Sequence, residues 1–340
     1  MRTLILILLL TLLPFTSSQA ATVDIYTGEA VVESKDAADR RRALPLALRH
    51  VFEKYSGLRD FAAYPQLDSA MASASSIVLS FHYRNAEITR ADGSDGEELR
   101  LVAAFSSDRV DELARSLELP LWPPRRDPVN AWVVIDNGLD RQVMPVEFAY
   151  AWEAMGEVAA NRGLPVNWPA PDADGAYMVD AQLLWGGYTE DLQVGKGTGA
   201  MISAARREGP EWNVRSNLTY RGKSTTWRVQ NIDLQAALVE SMQQAVDQVA
   251  AANTIAATDL GTWMHPLEIA GLAGADDYSR CLGYLQQLNV VNQVSVRSAK
   301  AGTVTFMLEL NALPQYLDDA LLDGQVLAAD EDGLGYYLLP

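Results

Sequence analysis

The sequence predicts an α+β protein built as tandem small modules of antiparallel sheet with helices packed on one face. Three observations carry that expectation. Alternating apolar stretches and stretches of helical apolar spacing follow one another as strand–helix–strand–strand–helix in three successive segments. The stretch Pro120-Leu121-Trp122-Pro123-Pro124-Arg125-Arg126-Asp127-Pro128 separates the first two, because proline fixes φ and lacks a donor. With 340 residues, 49% of them hydrophobic and 21% charged, the chain can bury more than one core. The expected layout is a leader at 1–20, an N-terminal domain at 21–127, a central domain at 128–256 with a Trp-rich antiparallel sheet, and a C-terminal domain at 257–340.

The leader reads as a secretory signal peptide. Arg2 supplies the charged start, Leu4 to Leu13 the apolar run, and Ser18-Gln19-Ala20 the small residues before a cut after Ala20, or one residue later. The run is shorter than the ~20 residues a spanning helix needs. No later run is long enough either, so no membrane span is expected after cleavage.

In the first segment a strand opens at Val23 and Ile25 and runs to Val31-Val32. Leu44, Ala47, Leu48, Val51, Phe52 and Tyr55 then form one helical face, with Gly57 as the stop. Pro45 should mark the start of that helix or a kink in it. A short helix near Asp68–Ser76 precedes a hairpin, Ile77–Thr89 with Leu99–Phe105, and a helix at Asp108–Leu117 closes the segment.

The second segment opens with a buried strand, Ala131–Asp136, and a helix, Val146–Asn161. Four strands are expected next: Tyr177–Tyr188, Ala200–Arg206, Glu211–Tyr220 and Ser224–Val229. Trp185, Trp212 and Trp227 fall on the apolar faces of three of them. They read as core packing or as a stacked aromatic platform for a sugar or peptide. Asn231 is the expected cap of a long helix through Leu234, Leu238, Met242, Val246 and Val249. The third segment reads as strand Met264–Ile269, helix Asp276–Leu288, strands Val290–Val296 and Thr303–Leu310, and helix Leu313–Leu322.

The formal charge is −17, and without the leader 26 Lys and Arg face 44 Asp and Glu, a net of −18. Such a surface disfavours nucleic acid and anionic headgroups. A single cysteine, Cys281, allows no intramolecular disulfide. Export without disulfides favours the bacterial periplasm over a small stapled extracellular protein.

No constellation of catalytic residues emerges. Gly222-Lys223-Ser224 resembles the end of a phosphate loop, but the required earlier glycine is Asn217 and the flanks read as a hairpin. His50, His82 and His265 lack metal-ligand spacing. Cys281 lies on an apolar helical face and reads as a core thiol, and His50 as a boundary residue. The acid pairs Asp276-Asp277 and Asp318-Asp319 read as helix capping or solvation. No catalytic residue, cofactor or metal is therefore expected. Gly195-Lys196-Gly197-Thr198-Gly199 reads as a loop that is either merely flexible or binds a partner. Trp122, in the linker, reads as a wedge between domains or an exposed anchor for a partner.

Several stretches together resemble a known family: Arg42-Ala43-Leu44 through Tyr55-Ser56-Gly57, Ala181 to Tyr188, Glu211-Trp212, Thr226-Trp227, Ile269-Ala270-Gly271, and Asp277-Tyr278 with Tyr284-Leu285. With the leader, they make the chain similar to the domain of unknown function 2066 family, secreted proteins of Gram-negative bacteria. The resemblance implies secretion and carries no activity or site residue. The middle segment also resembles small α/β modules of outer-membrane-associated assembly proteins. The expected function is a non-enzymatic periplasmic adaptor or accessory factor that contacts an envelope protein through Trp122, Lys196, Trp185, Trp212 or Trp227. The alternatives are a ligand-binding module for peptide, glycan or lipid, and an enzyme whose carboxylates come together from distant segments.

Overall fold

The computed structural model describes residues 21–323, apart from 90–93, 174, 176, 178, 190–191 and 193–198, and then 326–330 and 335–339. The expected leader therefore lies outside the described residues. The first segment holds β1 (Ala21–Thr22), β2 (Thr27–Val31), α1 (Ala37–Ser56), α2 (Leu67–Met71), α3 (Ala74–Ile77), β3 (Val78–Thr89), β4 (Asp95–Phe105) and α4 (Ser107–Ser116). β2, β4 and β3 make an antiparallel sheet in that order. The α1 face read from the sequence is the buried one: Ala47, Leu48, Val51 and Phe52 are fully enclosed. Gly57 ends α1 with φ +72°, donating its N–H to Glu53 O. α1 begins at Ala37, so Pro45 lies inside the helix rather than near its start.

The second segment holds β5 (Arg125–Arg126), β6 (Val129–Asp136), β7 (Arg141–Val143), α5 (Ala149–Asn161), β8 (Val166–Asn167), α6 (Ala181–Gly186), β9 (Gly199–Glu208), β10 (Glu211–Tyr220), β11 (Lys223–Asn231) and α7 (Leu234–Asn253). The sheet order is β11-β10-β9-β6-β7, with β8 beside β6. Two expectations are corrected here. β6 and β9 run parallel from Val129↔Gly199 to Asp136↔Arg206, so this sheet is mixed. The expected strand Tyr177–Tyr188 is instead α6 in its second half. Asp180 caps it by accepting from the N–H of Gln182, and Gly187 ends it at φ +81°.

α5 and α7 cover one face of this sheet and bury Val133, Met201, Val214, Leu238, Met242 and Val246. α6 covers the other face, where Leu184 meets Trp132, Val134, Ala200 and Ile202. Helices thus lie on both faces, which is why β6 is buried along its whole length. Asp233, not Asn231, caps α7 by accepting from Gln235 N, while Asn231 accepts from Asp233 N. Within the core a chain of hydroxyls, Ser203–Ser216–Ser241, ends on the indole N–H of Trp227.

The third segment holds β12 (Leu260–Ala270), α8 (Ala275–Gln287), β13 (Val291–Lys300), β14 (Thr303–Ala312), α9 (Gln315–Asp323), β15 (Leu327–Ala329) and β16 (Tyr336–Leu338). The order is β13-β14-β12-β16-β15, with β16 parallel to β12. The last two strands go beyond the sequence expectation. Phe306, Leu308, Leu310, Cys281, Leu285, Leu317 and Leu321 fill its core. Helices packed on antiparallel sheets make the protein α+β, and among the described residues parallel pairs occur at β6 and at β16.

Candidate functional site at the junction of the three sheets

The proline-rich linker is a seam that touches all three segments. Trp122 N–H donates to Tyr55 O at the end of α1 (2.7 Å), and Leu121 exchanges backbone bonds with Ile255 beyond α7. Asn289 of the third segment brackets Arg125: its Oδ1 accepts from Arg125 N (3.2 Å) and its Nδ2 donates to Arg125 O (2.8 Å). β1 pairs with β5, joining Ala21 to Arg126 and Thr22 to Arg125. Trp122 is 1% exposed and belongs to the central core. A Cβ on Gly57 would stand 3.1 Å from its ring and 2.5 Å from Ala250 Cβ. Trp122 is therefore the wedge, and the reading as an exposed anchor is overturned by its burial.

Arg126 lies beneath it, 3% exposed, with its guanidinium 3.6 Å from the Trp122 ring. It donates to five backbone carbonyls: Pro123 (3.0 Å), Trp122 (3.1 Å), Arg162 (3.3 Å), Gly163 (2.7 Å) and Lys54. Burial without a carboxylate pulls its pKa down to about 9, which still leaves it charged at neutral pH. Arg162, 4% exposed, continues the seam by reaching Gly57 O, Gln243 Oε1 (2.8 Å) and Asp247 Oδ1 (2.7 Å). Lys54 donates to Asp24 O (2.7 Å) and Thr27 O, and desolvation lowers its pKa. Arg126 and Arg162 thus staple carbonyls at the ends of α1 and α5 and at the linker, and Lys54 holds those leading into β2.

His50 completes this contact. Its Nδ1 accepts from the Glu29 N–H (3.0 Å), which fixes the proton on Nε2, and Nε2 donates to Asn161 O at the end of α5. Burial lowers its pKa, so the neutral ring is the resident form. Arg100 and Glu157 add an ion pair at 2.7 Å across the same boundary.

On the other side of the linker lies a cavity of about 150 Å³, formed jointly by the linker, the end of α7 and the third segment. Trp122, Val249, Ile255 and Val290 give it apolar walls, and Arg125, Tyr220 and Tyr316 bring polar groups.

The sequence-selected tryptophans do not form a platform. Trp212 packs edge-to-face on Phe148 at 5.7 Å, and Trp227 donates to Ser241 Oγ at 3.2 Å, both on the α7 face. Trp185 is on α6, across the sheet, between the guanidinium groups of Arg141 (4.5 Å) and Arg206 (5.0 Å). Both arginines bind Asp136 Oδ2. All three indoles are half-buried. Lys196 lies outside the described residues. Arg221 (φ 47°) and Gly222 (φ 71°) form the turn between β10 and β11, so Gly222-Lys223-Ser224 is a hairpin turn. Cys281 is fully buried, with its thiol pushed up to about 11 by burial.

Among the described residues no group of three or more His, Cys, Asp and Glu is arranged to hold a metal ion. No helix among them is long and apolar enough to cross a membrane. Sequence reasoning missed Arg126, Arg162 and the cavity. Only the Arg125-Arg126 pair inside a proline-rich run pointed there.

A family model, a domain of unknown function (DUF8605), matches residues 20–123, from just before β1 to the start of the linker. This match corrects the expected resemblance to the domain of unknown function 2066 family. The motifs behind that resemblance describe local packing, and one of them, Ala181 to Tyr188, forms a helix where a strand was expected. No curated protein and no solved structure matches the chain.

Proposed function

We propose that the chain is a non-catalytic adaptor or accessory protein of the bacterial periplasm, exported by a cleaved leader and acting through contacts with an envelope protein. The observation that carries this reading is the free edge of β11. Nine consecutive residues, Lys223 to Asn231, pair with β10 without a register shift, and β11 ends the sheet among the described residues. An unbulged, solvent-exposed edge is a ready template for an added strand. The edge strand β13, by contrast, has two register shifts against β14, while β3 has one at its start, between Val78 and Ser80, and then pairs evenly with β4 to Thr89.

The turn sets which groups of β11 point outward. A two-residue turn makes Tyr220 and Lys223 a hydrogen-bonded pair, so Ser224, Thr226, Arg228 and Gln230 direct their backbone groups away from β10. A photo-crosslinking side chain at Arg228 should trap a partner in intact cells. Thr226→Pro removes one outward N–H and no backbone bond to β10, at the cost of the hydroxyl that accepts from Asn217 Nδ2 (3.0 Å), so it should abolish that crosslink while leaving thermal stability within about 1 kcal/mol. Capture undiminished by Thr226→Pro would remove strand addition at β11 as the mode of contact.

A further inference from the structure

We propose that the junction cavity is a binding site for a small organic carboxylate with an apolar body, held by Arg125. Four features converge. The cavity, about 150 Å³, is the size that accepts a benzene ring. Its walls combine Trp122, Val249, Ile255 and Val290 with a few polar groups, the make-up of a small-molecule site between domains. Several of its polar side chains are engaged, and among the described lining residues one buried side-chain donor is not. Tyr220 and Asn253 bond each other (2.9 Å from Asn253 Nδ2), Tyr316 donates to Asp259 Oδ2 (2.8 Å), and both ends of the Asn289 amide are held by the Arg125 backbone. The exception is Arg125 Nη1, a buried donor with no hydrogen-bond partner.

A buried guanidinium N–H without an acceptor is costly, and a carboxylate satisfies it with charge assistance. Asn289 holds the Arg125 main chain from both sides, which anchors the base of that side chain at the cavity wall. Arg126 carries its charge on the same wall but spends its donors on carbonyls. Asp127 and Asp319 also line the cavity, with Asp319 at the exposed rim. These acids restrict the site to a ligand that brings one negative charge to Arg125, and they disfavour phosphate, which needs several donors. The walls then select the apolar group behind that charge. The same chemistry is offered by a free metabolite or by the C-terminus of a peptide ending in a bulky apolar residue.

Calorimetric titration of the full chain with benzoate and with benzamide tests the proposal without any variant. The two probes share a shape and differ in charge. Benzoate is expected to bind, and benzamide at least about tenfold more weakly, a factor equivalent to 1.4 kcal/mol. Arg125→Met should bring benzoate down to the benzamide level, and Arg125→Lys should recover part of the difference. Equal binding of the two probes, or no heat from benzoate up to about 10 mM, overturns the proposal, since millimolar affinity is the least such a site would show. Inorganic phosphate binding as tightly as benzoate also overturns it. A peptide ending in a free Val-Leu carboxylate, run beside its amide, separates the two sources: a peptide preference over benzoate assigns a chain terminus, and the reverse assigns a metabolite.

Discussion

Arg126→Met asks how much of the assembly rests on one buried cation. Burial pulls the Arg126 pKa down to about 9, a desolvation cost of several kcal/mol against the charged form. Against this stand five carbonyl acceptors at about 1.5–3 kcal/mol each for hydrogen bonds to a charged group, which exceeds the desolvation term before any loss of non-additivity. Methionine keeps an apolar arm against Trp122 but leaves those carbonyls without a donor in a site water barely reaches. The expected loss is about 3–5 kcal/mol, as for other buried charges whose removal strands their partners. Urea unfolding followed by tryptophan fluorescence and far-ultraviolet circular dichroism measures it. Because the acceptors belong to α1, to the end of α5 and to the linker, the two signals should also part company, with one segment melting before another. Arg126→Lys should fall between the variant and the parent. A loss below about 1 kcal/mol with coincident transitions would refute the reasoning, because surface-like substitutions fall in that range.

Two further outcomes follow from the same boundary. Burial lowers the His50 pKa in the folded chain relative to 6.5 against the pull of its bond to Asn161 O, with Lys54 also opposing its charge and Glu53 and Glu29 favouring it more weakly. The unfolded chain therefore takes up the proton first. The stability His50 contributes is complete above about pH 6.5 and is lost as pH falls through the folded-state value. His50→Gln should flatten the drop in urea midpoint between about pH 7 and pH 5, and an unchanged slope would count against the neutral ring. Gly28 lies in β2 where an added Cβ would come within 1.9 Å of the Ala47 carbonyl oxygen of α1. Gly28→Ala must push strand from helix, so a loss of about 3 kcal/mol or failure to accumulate soluble protein is expected, with Val31→Ala, exposed at the end of the same strand, as the benign neighbour.

Elements whose burial is one-sided were legible from the chain alone. The Leu44–Tyr55 spacing gave α1, the Val304–Leu310 alternation gave β14, and Gly57 gave a helix end, because each pattern is local. Trp185 shows where local patterns compete. Tyr177, Val179, Ala181, Leu183 and Trp185 alternate like a strand, yet Asp180 and Gly187 carry the cap chemistry of a short helix, and the capped helix forms. The parallel partner of β6 was invisible because it lies some 70 residues away and leaves no turn signature between the two strands. Arg126 was hidden for a different reason. Its acceptors are backbone carbonyls, which every residue has, so no side-chain pattern announces them. The cavity arises only when Val249, Val290 and Trp122 are brought together, and nothing in their spacing requires it.

The pairing of β1 with β5 gives the molecule a temporal constraint. Ala21 finds its partner at Arg126, more than one hundred residues later. A chain delivered from its N-terminus leaves the first strand waiting until Arg126 has followed it. During that interval the Lys54 carbonyl has no Arg126 to hold it, and the seat of Trp122 beside Gly57 is open. The first segment can collapse around α1 early, but it cannot lock. A chaperone that holds the chain until Arg126 emerges would find its natural release point there, and a fusion placed directly before Ala21 would burden the last stitch of the fold rather than a loose end.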